Sequence, residues 1–275
     1  MNSIAVCVCT LLTVSGIAMA GEHVHFDVLL AQSATDPSHL ATGAFNFEDF
    51  EVAALPPVRV YEYDLEAPGV GADLLTGELG FVSLSADSAA LLPPAYTHLP
   101  GGVAVRVDFN SFGLGGGVSN LWYWDGIDDD ADHDFTDDID FQPAEGVSLA
   151  LEALGGALTA SVDGSAFGVP GFHVGTTAFD DAETAGNETG FLHLDLDVIL
   201  DDLDADPLTL VPSGVYAYSV SFGFNPQTDP IYIVLNGGLG EEGEPAVEAV
   251  VAYIPEPGTL LLLAFDGVLL MRRRR

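Results

Sequence analysis

Short segments in which bulky apolar residues alternate with small or polar ones constrain the fold of this chain more than any other feature. The segment VYAYSVSFGF, residues 215–224, places large side chains at every second position and small ones between them: Tyr216, Tyr218, Val220, Phe222 and Phe224 against Ala217, Ser219 and Ser221. Successive side chains of a β-strand point to opposite faces, so the pattern predicts a strand with one aromatic face. We interpret this as a core face; the alternative is an exposed binding platform.

Further segments share this length and this enrichment in β-branched and aromatic residues, and clusters of Gly, Pro, Asn and Asp separate them. They are residues 23–30, 45–52, 58–65, 79–85, 103–109, 121–124, 147–151, 158–162, 191–200, 231–236 and 247–253. No apolar period of 3.6 residues, the mark of an amphipathic helix, continues for more than a turn or two. The pattern predicts an all-β body over residues 21–254, as an antiparallel two-sheet sandwich or jelly roll. Two smaller β units divided near residues 125–140 are the alternative.

The charge of the chain limits its partners. Of 275 residues, 42 are acidic and 6 are basic, and the formal net charge is -36. Because 48% of the residues are hydrophobic, the chain can bury a core, and the charge belongs to the surface of a folded body. Phosphate recognition needs clustered Lys and Arg, so we expect no nucleic-acid partner and instead expect cations to associate with the body.

The N-terminal residues have the features of an export signal. Residues 4–17 form a nearly continuous apolar run, and residues 18–20, Ala-Met-Ala, match the small-x-small site of signal peptidase. We therefore predict a signal peptide over residues 1–20; an N-terminal membrane anchor is the alternative. Both cysteines, Cys7 and Cys9, lie in this segment, so the mature chain can form neither disulfides nor thiolate metal sites.

The C-terminal residues have three ordered parts. A Pro-Glu-Pro-Gly stretch, an apolar run at residues 259–271 and a basic terminus follow one another; the first and last parts are Pro255, Glu256, Pro257, Gly258, Arg272, Arg273, Arg274 and Arg275. As a helix the run would span about 20 Å, against about 30 Å for the hydrocarbon core of a bilayer. It also contains Asp266, and a carboxylate inside a spanning helix costs roughly 2.5–3.5 kcal/mol. We expect transient membrane association; a permanent single-span anchor is the alternative.

This tail resembles the PEP-CTERM sorting signal of bacterial proteins, whose members also carry a signal peptide. The resemblance covers residues 255–275 and implies that an exosortase, a membrane transpeptidase-like enzyme, recognises and cleaves the tail. It also implies that the mature protein is released or transferred to the cell surface, often in bacteria that make exopolysaccharide. The resemblance indicates a destination and implies no activity for residues 21–254.

An aspartate-rich segment at residues 125–140 is the first candidate cation site. Its sequence DGIDDDADHDFTDD places acids at alternate positions, Asp128, Asp130, Asp132 and Asp134. Closely spaced carboxylates on a loop can provide the roughly six to eight oxygens that Ca²⁺ prefers. The spacing is not that of an EF-hand, because His133 and Ile139 stand where that motif needs Gly and Glu. The segment predicts calcium as a stabilising ion, with a solvated acidic loop as the alternative.

Two similar segments, HVHFDVLL and HLDLDVIL, form the second candidate cation site. Their polar residues fall on one face of each predicted strand: His23, His25 and Asp27 in the first, and His193, Asp195 and Asp197 in the second. If the two strands are neighbours, histidines and carboxylates share a face that suits a transition metal. The alternative is the polar outer face of a half-buried sheet.

Two tryptophans form a candidate carbohydrate site. Trp122 and Trp124 point to one face of the predicted strand 121–124, where exposed indoles could stack on successive sugar rings. The alternative places them in the core. The sequence contains no G-x-S-x-G elbow, zinc-protease motif or P-loop, and we predict no enzymatic activity.

These features together predict an exported, surface-sorted structural or matrix-associated protein that calcium stabilises. Its expected partners are signal peptidase and an exosortase during export, and exopolysaccharide or envelope components afterwards. A carbohydrate-binding module that uses Trp122 and Trp124 is the first alternative, and a polysaccharide hydrolase is the second.

Overall fold

The computed structural model describes residues 26–46, 49–54, 58–66, 74–114, 117–126, 139–178, 188–203, 211–223, 229–239 and 243–253. The predicted signal peptide, residues 1–20, and the sorting tail, residues 255–275, lie outside these ranges. The same holds for part of each candidate cation site, namely His23, His25, Asp128, Asp130, Asp132 and Asp134. The interpretations of these residues stay predictions.

The described residues are mostly β-strand, which confirms the predicted class. The strands are β1 (Asp27–Ser33), β2 (Leu40–Asn46), β3 (Glu51–Ala54), β4 (Val60–Asp64), β5 (Leu74–Ser83), β6 (Tyr96–Thr97), β7 (Ala104–Asn110), β8 (Leu121–Trp124), β9 (Gln142–Pro143), β10 (Val147–Ala153), β11 (Leu158–Asp163), β12 (Phe172–Gly175), β13 (Leu192–Asp202), β14 (Gly214–Gly223) and β15 (Ile231–Gly237). One α-helix, α1 (Glu244–Tyr253), and one 3₁₀ turn (Ser88–Leu91) complete the regular structure of the described part of the chain.

The strands form two sheets. The eight-stranded sheet has the order β11-β10-β13-β5-β1-β2-β3, and β6 pairs with β1. The seven-stranded sheet has the order β12-β7-β14-β15-β4, and β8 joins it by pairing with β14 and β9. Each sheet takes strands from both sides of residues 125–140, so the chain on the two sides of that segment does not form separate sheets.

Both sheets mix strand directions, so the prediction of purely antiparallel sheets is wrong. β1 pairs in parallel with β5, with Val28 beside Phe81, and β15 pairs in parallel with β4, with Tyr232 beside Val60. The other pairs of described strands are antiparallel. Side-chain alternation depends on the pleat within one strand, so it gives the same signal whichever direction the neighbouring strand runs.

The two sheets share one large hydrophobic cluster, the shared core. The eight-stranded sheet contributes Phe81 and Leu196 among others, and the seven-stranded sheet contributes Tyr218 and Phe222 among others. The rings of Phe81 and Phe222 lie 4.8 Å apart between centroids and join the two layers. Of the predicted aromatic face, Tyr216, Tyr218, Val220 and Phe222 of β14 turn toward this core, which confirms their interpretation as core residues; Phe224 lies outside the described residues.

β14 is buried on both faces. Its opposite side carries Val215 and Ala217, which belong to a second cluster that α1 covers with Ala246 and Val250. A third cluster forms on the outer face of the eight-stranded sheet around Val82. The seven-stranded sheet is therefore the middle layer over β14, between the shared core and the helix.

The prediction of a strand over residues 247–253 is wrong, because these residues belong to α1. Ala246 and Val250 are four residues apart and lie on the same helical face, which packs on the second cluster. Ten helical residues give too few turns for a clear period in the sequence. The described residues contain no helix with the length and apolar character needed to cross a bilayer.

The prediction of one strand over residues 45–52 is also wrong. β2 ends at Asn46 and β3 begins at Glu51, and the two strands pair with each other as an antiparallel hairpin. Phe50, just before β3, has a left-handed φ of 51° and packs edge-on against Phe45 at 5.4 Å between ring centroids. Apolar residues also recur in the sequence of the turn, so the sequence pattern does not show where β2 ends and β3 begins.

Candidate metal centre

The two histidine-aspartate segments are close in space but are not neighbouring strands. β5 lies between β1 and β13 in the eight-stranded sheet. Asp195 of β13 is opposite Gly80 of β5, and Asp27 of β1 precedes the Val28–Phe81 pair, so it borders Gly80 from the other side. The condition that the two strands are neighbours is therefore not met, and Gly80 of β5 lies between the two segments.

Gly80 allows the two sides to meet. A Cβ atom at position 80 would overlap the carboxylate of Asp27, so this side chain occupies the space above the glycine. An isolated glycine inside a strand often marks such a close approach. The sequence contains this signal in LTGELGFVS, residues 75–83, where a glycine lies between bulky apolar residues of a predicted strand.

Asp27, His193 and Asp195 form the candidate centre. Nε2 of His193 lies 3.5 Å from a carboxylate oxygen of Asp27 and 3.4 Å from one of Asp195. One potential ligand atom from each of the three residues lies within 4.8 Å of the other two. The side chains of Asp27 and His193 are 14% and 26% exposed, whereas that of Asp195 is 62% exposed, so one side of the centre opens to solvent.

Asp197, the other predicted ligand on β13, lies in a different group. It is opposite Glu78 of β5 on one side and Glu152 of β10 on the other, which aligns three carboxylates across three adjacent strands. We call Glu78, Asp197 and Glu152 the acidic row. Like charges directly opposite each other on a sheet destabilise it, so the row favours a bound or condensed cation.

Few positive charges balance this face. The arginines within the described residues are Arg59 and Arg106, and they belong to the seven-stranded sheet or its approach. Arg59 pairs with Asp229 at 2.5 Å, and Arg106 pairs with Asp108. The strands of the eight-stranded sheet contain neither Lys nor Arg.

The tryptophans are buried, so the interpretation that required exposed indoles is wrong. Trp122 and Trp124 are 1% and 2% exposed and belong to the second cluster, under α1. The indole N–H of Trp122 donates to the carbonyl of Phe112 at 3.1 Å. Leu121 and Tyr123 point to the shared core, as the alternation indicates, but the opposite face is covered rather than solvated.

A polar hollow of about 300 Å³ lies beside β10 and β11, and Ser148, Ser161 and Asp163 are among its lining residues. Hydrogen bonds from the side chain and backbone N–H of Ser165 hold the pKa of Asp163 below its usual value. None of the candidate cation-binding or carbohydrate-binding residues lines this hollow.

Comparisons with known proteins identify no family. No protein-family model and no curated protein matches the chain. A solved structure of a mutant of the CFA/I enterotoxigenic E. coli adhesin CfaE is similar over 65% of this chain, with 13% identity and a TM-score of 0.25. The similar region spans 46% of the adhesin chain. A TM-score this low supports no inference about fold or function.

Proposed function

We propose that the protein is an exported, surface-sorted structural or matrix-associated protein with a β-sandwich body that calcium stabilises. The shared core between the two sheets supports the sandwich description. Signal peptidase and an exosortase are the proposed processing enzymes. Envelope components or exopolysaccharide are the proposed surroundings of the mature protein.

The acidic row is the observation that carries this proposal. Glu78, Asp197 and Glu152 face one another across adjacent strands of a sheet whose strands contain neither Lys nor Arg. Ca²⁺ prefers carboxylate oxygens, and a divalent ion shared between two rows of carboxylates can join two molecules as well as stabilise one. Such a face suits a protein that holds to an acidic matrix through calcium bridges.

The position of α1 supports the proposed sorting. The helix ends at Tyr253, and the Pro-Glu-Pro stretch begins at Pro255. Removal of the tail there leaves the helix, and with it the cover of the second cluster, in the mature body. The tail would act as a transient membrane tether until the exosortase cleaves it.

The experiment is to extract the protein from intact cells of its source. We expect a calcium chelator to release it, and NaCl of matched ionic strength to leave it bound, because screening alone does not replace a bridging divalent ion. Mass spectrometry of the released protein should find a C-terminus near Pro255. The triple variant of Pro255, Glu256 and Pro257 to Ala should keep the intact tail.

Three outcomes would contradict the proposal. Recovery of the wild-type protein only from the cytoplasm would exclude export. Equal release by chelator and by NaCl would exclude calcium bridging, and extracellular protein that retains Arg272 to Arg275 would exclude cleavage of the tail.

A further inference from the structure

We infer that Asp27, His193 and Asp195 bind one transition-metal ion of the zinc class, at a centre that lies beside the acidic row on the same face of the eight-stranded sheet. This site goes beyond the proposed function, which depends on the acidic row and on carboxylates alone. The ion would join β1 and β13 across β5, the strand between them.

The separations within the centre fit metal ligands better than hydrogen bonds. Charge-assisted N–H···O bonds are usually about 2.7–2.9 Å long. The distances from Nε2 of His193 to the oxygens of Asp27 and Asp195 are 3.5 and 3.4 Å. Zinc bonds to nitrogen and oxygen are about 2.0–2.2 Å, so neighbouring ligands of a tetrahedral ion lie about 3.4 Å apart. The two separations from His193 match two edges of such a tetrahedron, and the ligand atoms of Asp27 and Asp195 lie within 4.8 Å of each other.

The ligand types select the class of metal. Ca²⁺ and Mg²⁺ take oxygen ligands, whereas an imidazole nitrogen suits Zn²⁺, Cu²⁺, Ni²⁺ and Co²⁺. One imidazole with two carboxylates provides three of the four ligands of a tetrahedral site. Since Asp195 is 62% exposed, the fourth position faces solvent and can take a water molecule.

Gly80 is a second observation beside the distances between the ligands. Glycine weakens the interior of a strand by roughly 0.5–1 kcal/mol relative to Ala, and β5 lies inside the sheet. Here the missing side chain is replaced by the Asp27 carboxylate, which reaches across β5 toward His193. The glycine therefore makes the short approach between residues of β1 and β13 possible.

The test is a titration of the metal-stripped full chain with Co²⁺, in the presence of excess Ca²⁺ so that carboxylate sites are occupied. We expect one equivalent of Co²⁺ to bind with the intense visible absorption of low-coordinate cobalt, and Zn²⁺ to displace it. His193→Ala and Asp27→Asn should each weaken binding at least tenfold. His173→Ala, at an exposed histidine on β12 of the other sheet, is the matched control and should not change it.

Gly80→Ala tests the approach across β5 and should also weaken binding at least tenfold. Asp27→Asn keeps the test decisive if Gly80→Ala does not fold. Three outcomes would overturn the inference: no Co²⁺ binding by the wild type, binding that His193→Ala leaves intact, or binding that Ca²⁺ abolishes. Because release by a calcium chelator is a separate measurement, failure of this inference and failure of the proposed function are distinguishable.

Discussion

Three tyrosines in the shared core differ in how their hydroxyl groups are bonded. Tyr61 donates to the carbonyl of Gly43 and Tyr63 to that of Phe26, each at 2.7 Å. The hydroxyl of Tyr218 is buried and has no hydrogen-bond partner among the described residues. Burial raises the pKa of all three phenols, because the charged form would lose its hydration. The cost of burying a hydroxyl is therefore offset at two positions and remains at the third.

Replacing Tyr218 by Phe should stabilise the protein. The change removes a buried, unbonded hydroxyl, and the free energy of unfolding should rise by about 1 kcal/mol. Tyr61→Phe is the matched control in the same core and should lower it by about 1 kcal/mol, because the Gly43 carbonyl loses its donor. Urea unfolding of both variants measures the difference, and equal losses in the two would contradict the assignment.

The candidate metal centre shows which features of a site the alternation of residues predicts and which it does not. Alternation placed His193 and Asp195 on one face of a strand, and Asp27 on one face of another, and both placements agree with the strands observed. The alternation could not predict the order of the strands. It shows which residues of one strand share a face, but not which strands lie beside it. Asp27 can approach His193 because the strand between them, β5, has a glycine at position 80. This role of Gly80 follows only once β5 is known to lie between β1 and β13.

At the scale of elements, α1 changes the environment of a whole strand. β8 has the bounds predicted from the sequence, Leu121–Trp124, and its two faces carry the predicted residues. The layer that covers Trp122 and Trp124 comes from residues more than a hundred positions later in the chain, which no local pattern relates to β8. Most of β2 was not predicted as a strand. It is buried along its whole length and contains several small residues, so its sequence does not alternate between bulky apolar and polar side chains.

Two adjacent valines test the role of α1. Val250 is fully buried against the second cluster, and Val251 is 40% exposed. Val250→Glu should destabilise the protein by about 3 kcal/mol, because it buries a carboxylate among apolar side chains. Val251→Glu, the matched control, should change stability by less than about 0.5 kcal/mol.

Tryptophan fluorescence shows directly whether the Val250→Glu substitution displaces α1. Both tryptophans of the chain lie under α1, so emission reports whether the helix is docked. Val250→Glu should shift the emission maximum to longer wavelength as water reaches the indoles. An unchanged spectrum would mean that the helix does not cover them.

At the scale of the whole molecule, tyrosine dominates the alkaline titration. All six basic residues are arginines, so no lysine titrates, and within the described residues the phenols are the groups that titrate near pH 10. Burial raises the pKa of Tyr61, Tyr63, Tyr216 and Tyr218. The unfolded chain therefore loses phenolic protons first, and the folded state binds more protons than the unfolded state above pH ~10.

Stability should consequently be unaffected by these phenols below about pH 10 and should fall as pH rises beyond it, by up to about 1.4 kcal/mol per pH unit for each fully buried tyrosine. Urea unfolding at a series of pH values gives the slope. Tyr218→Phe should make the slope shallower than that of the unchanged protein. A stability that stays constant through pH 11 would refute this account.

The parallel pairing of β4 with β15 also sets an order of events in time. β4 ends at Asp64, and its partner among the described strands begins at Ile231, so the seven-stranded sheet joins early and late parts of the chain. Pairings between residues so distant in sequence form slowly. In a chain that is exported from its N-terminal end, as proposed, β4 would wait outside the membrane for most of translocation. When β15 and α1 finally emerge, the proposed sorting tail follows directly, so completion of the fold and arrival of that tail at the membrane would nearly coincide. An exosortase would then receive a body that has just become able to fold.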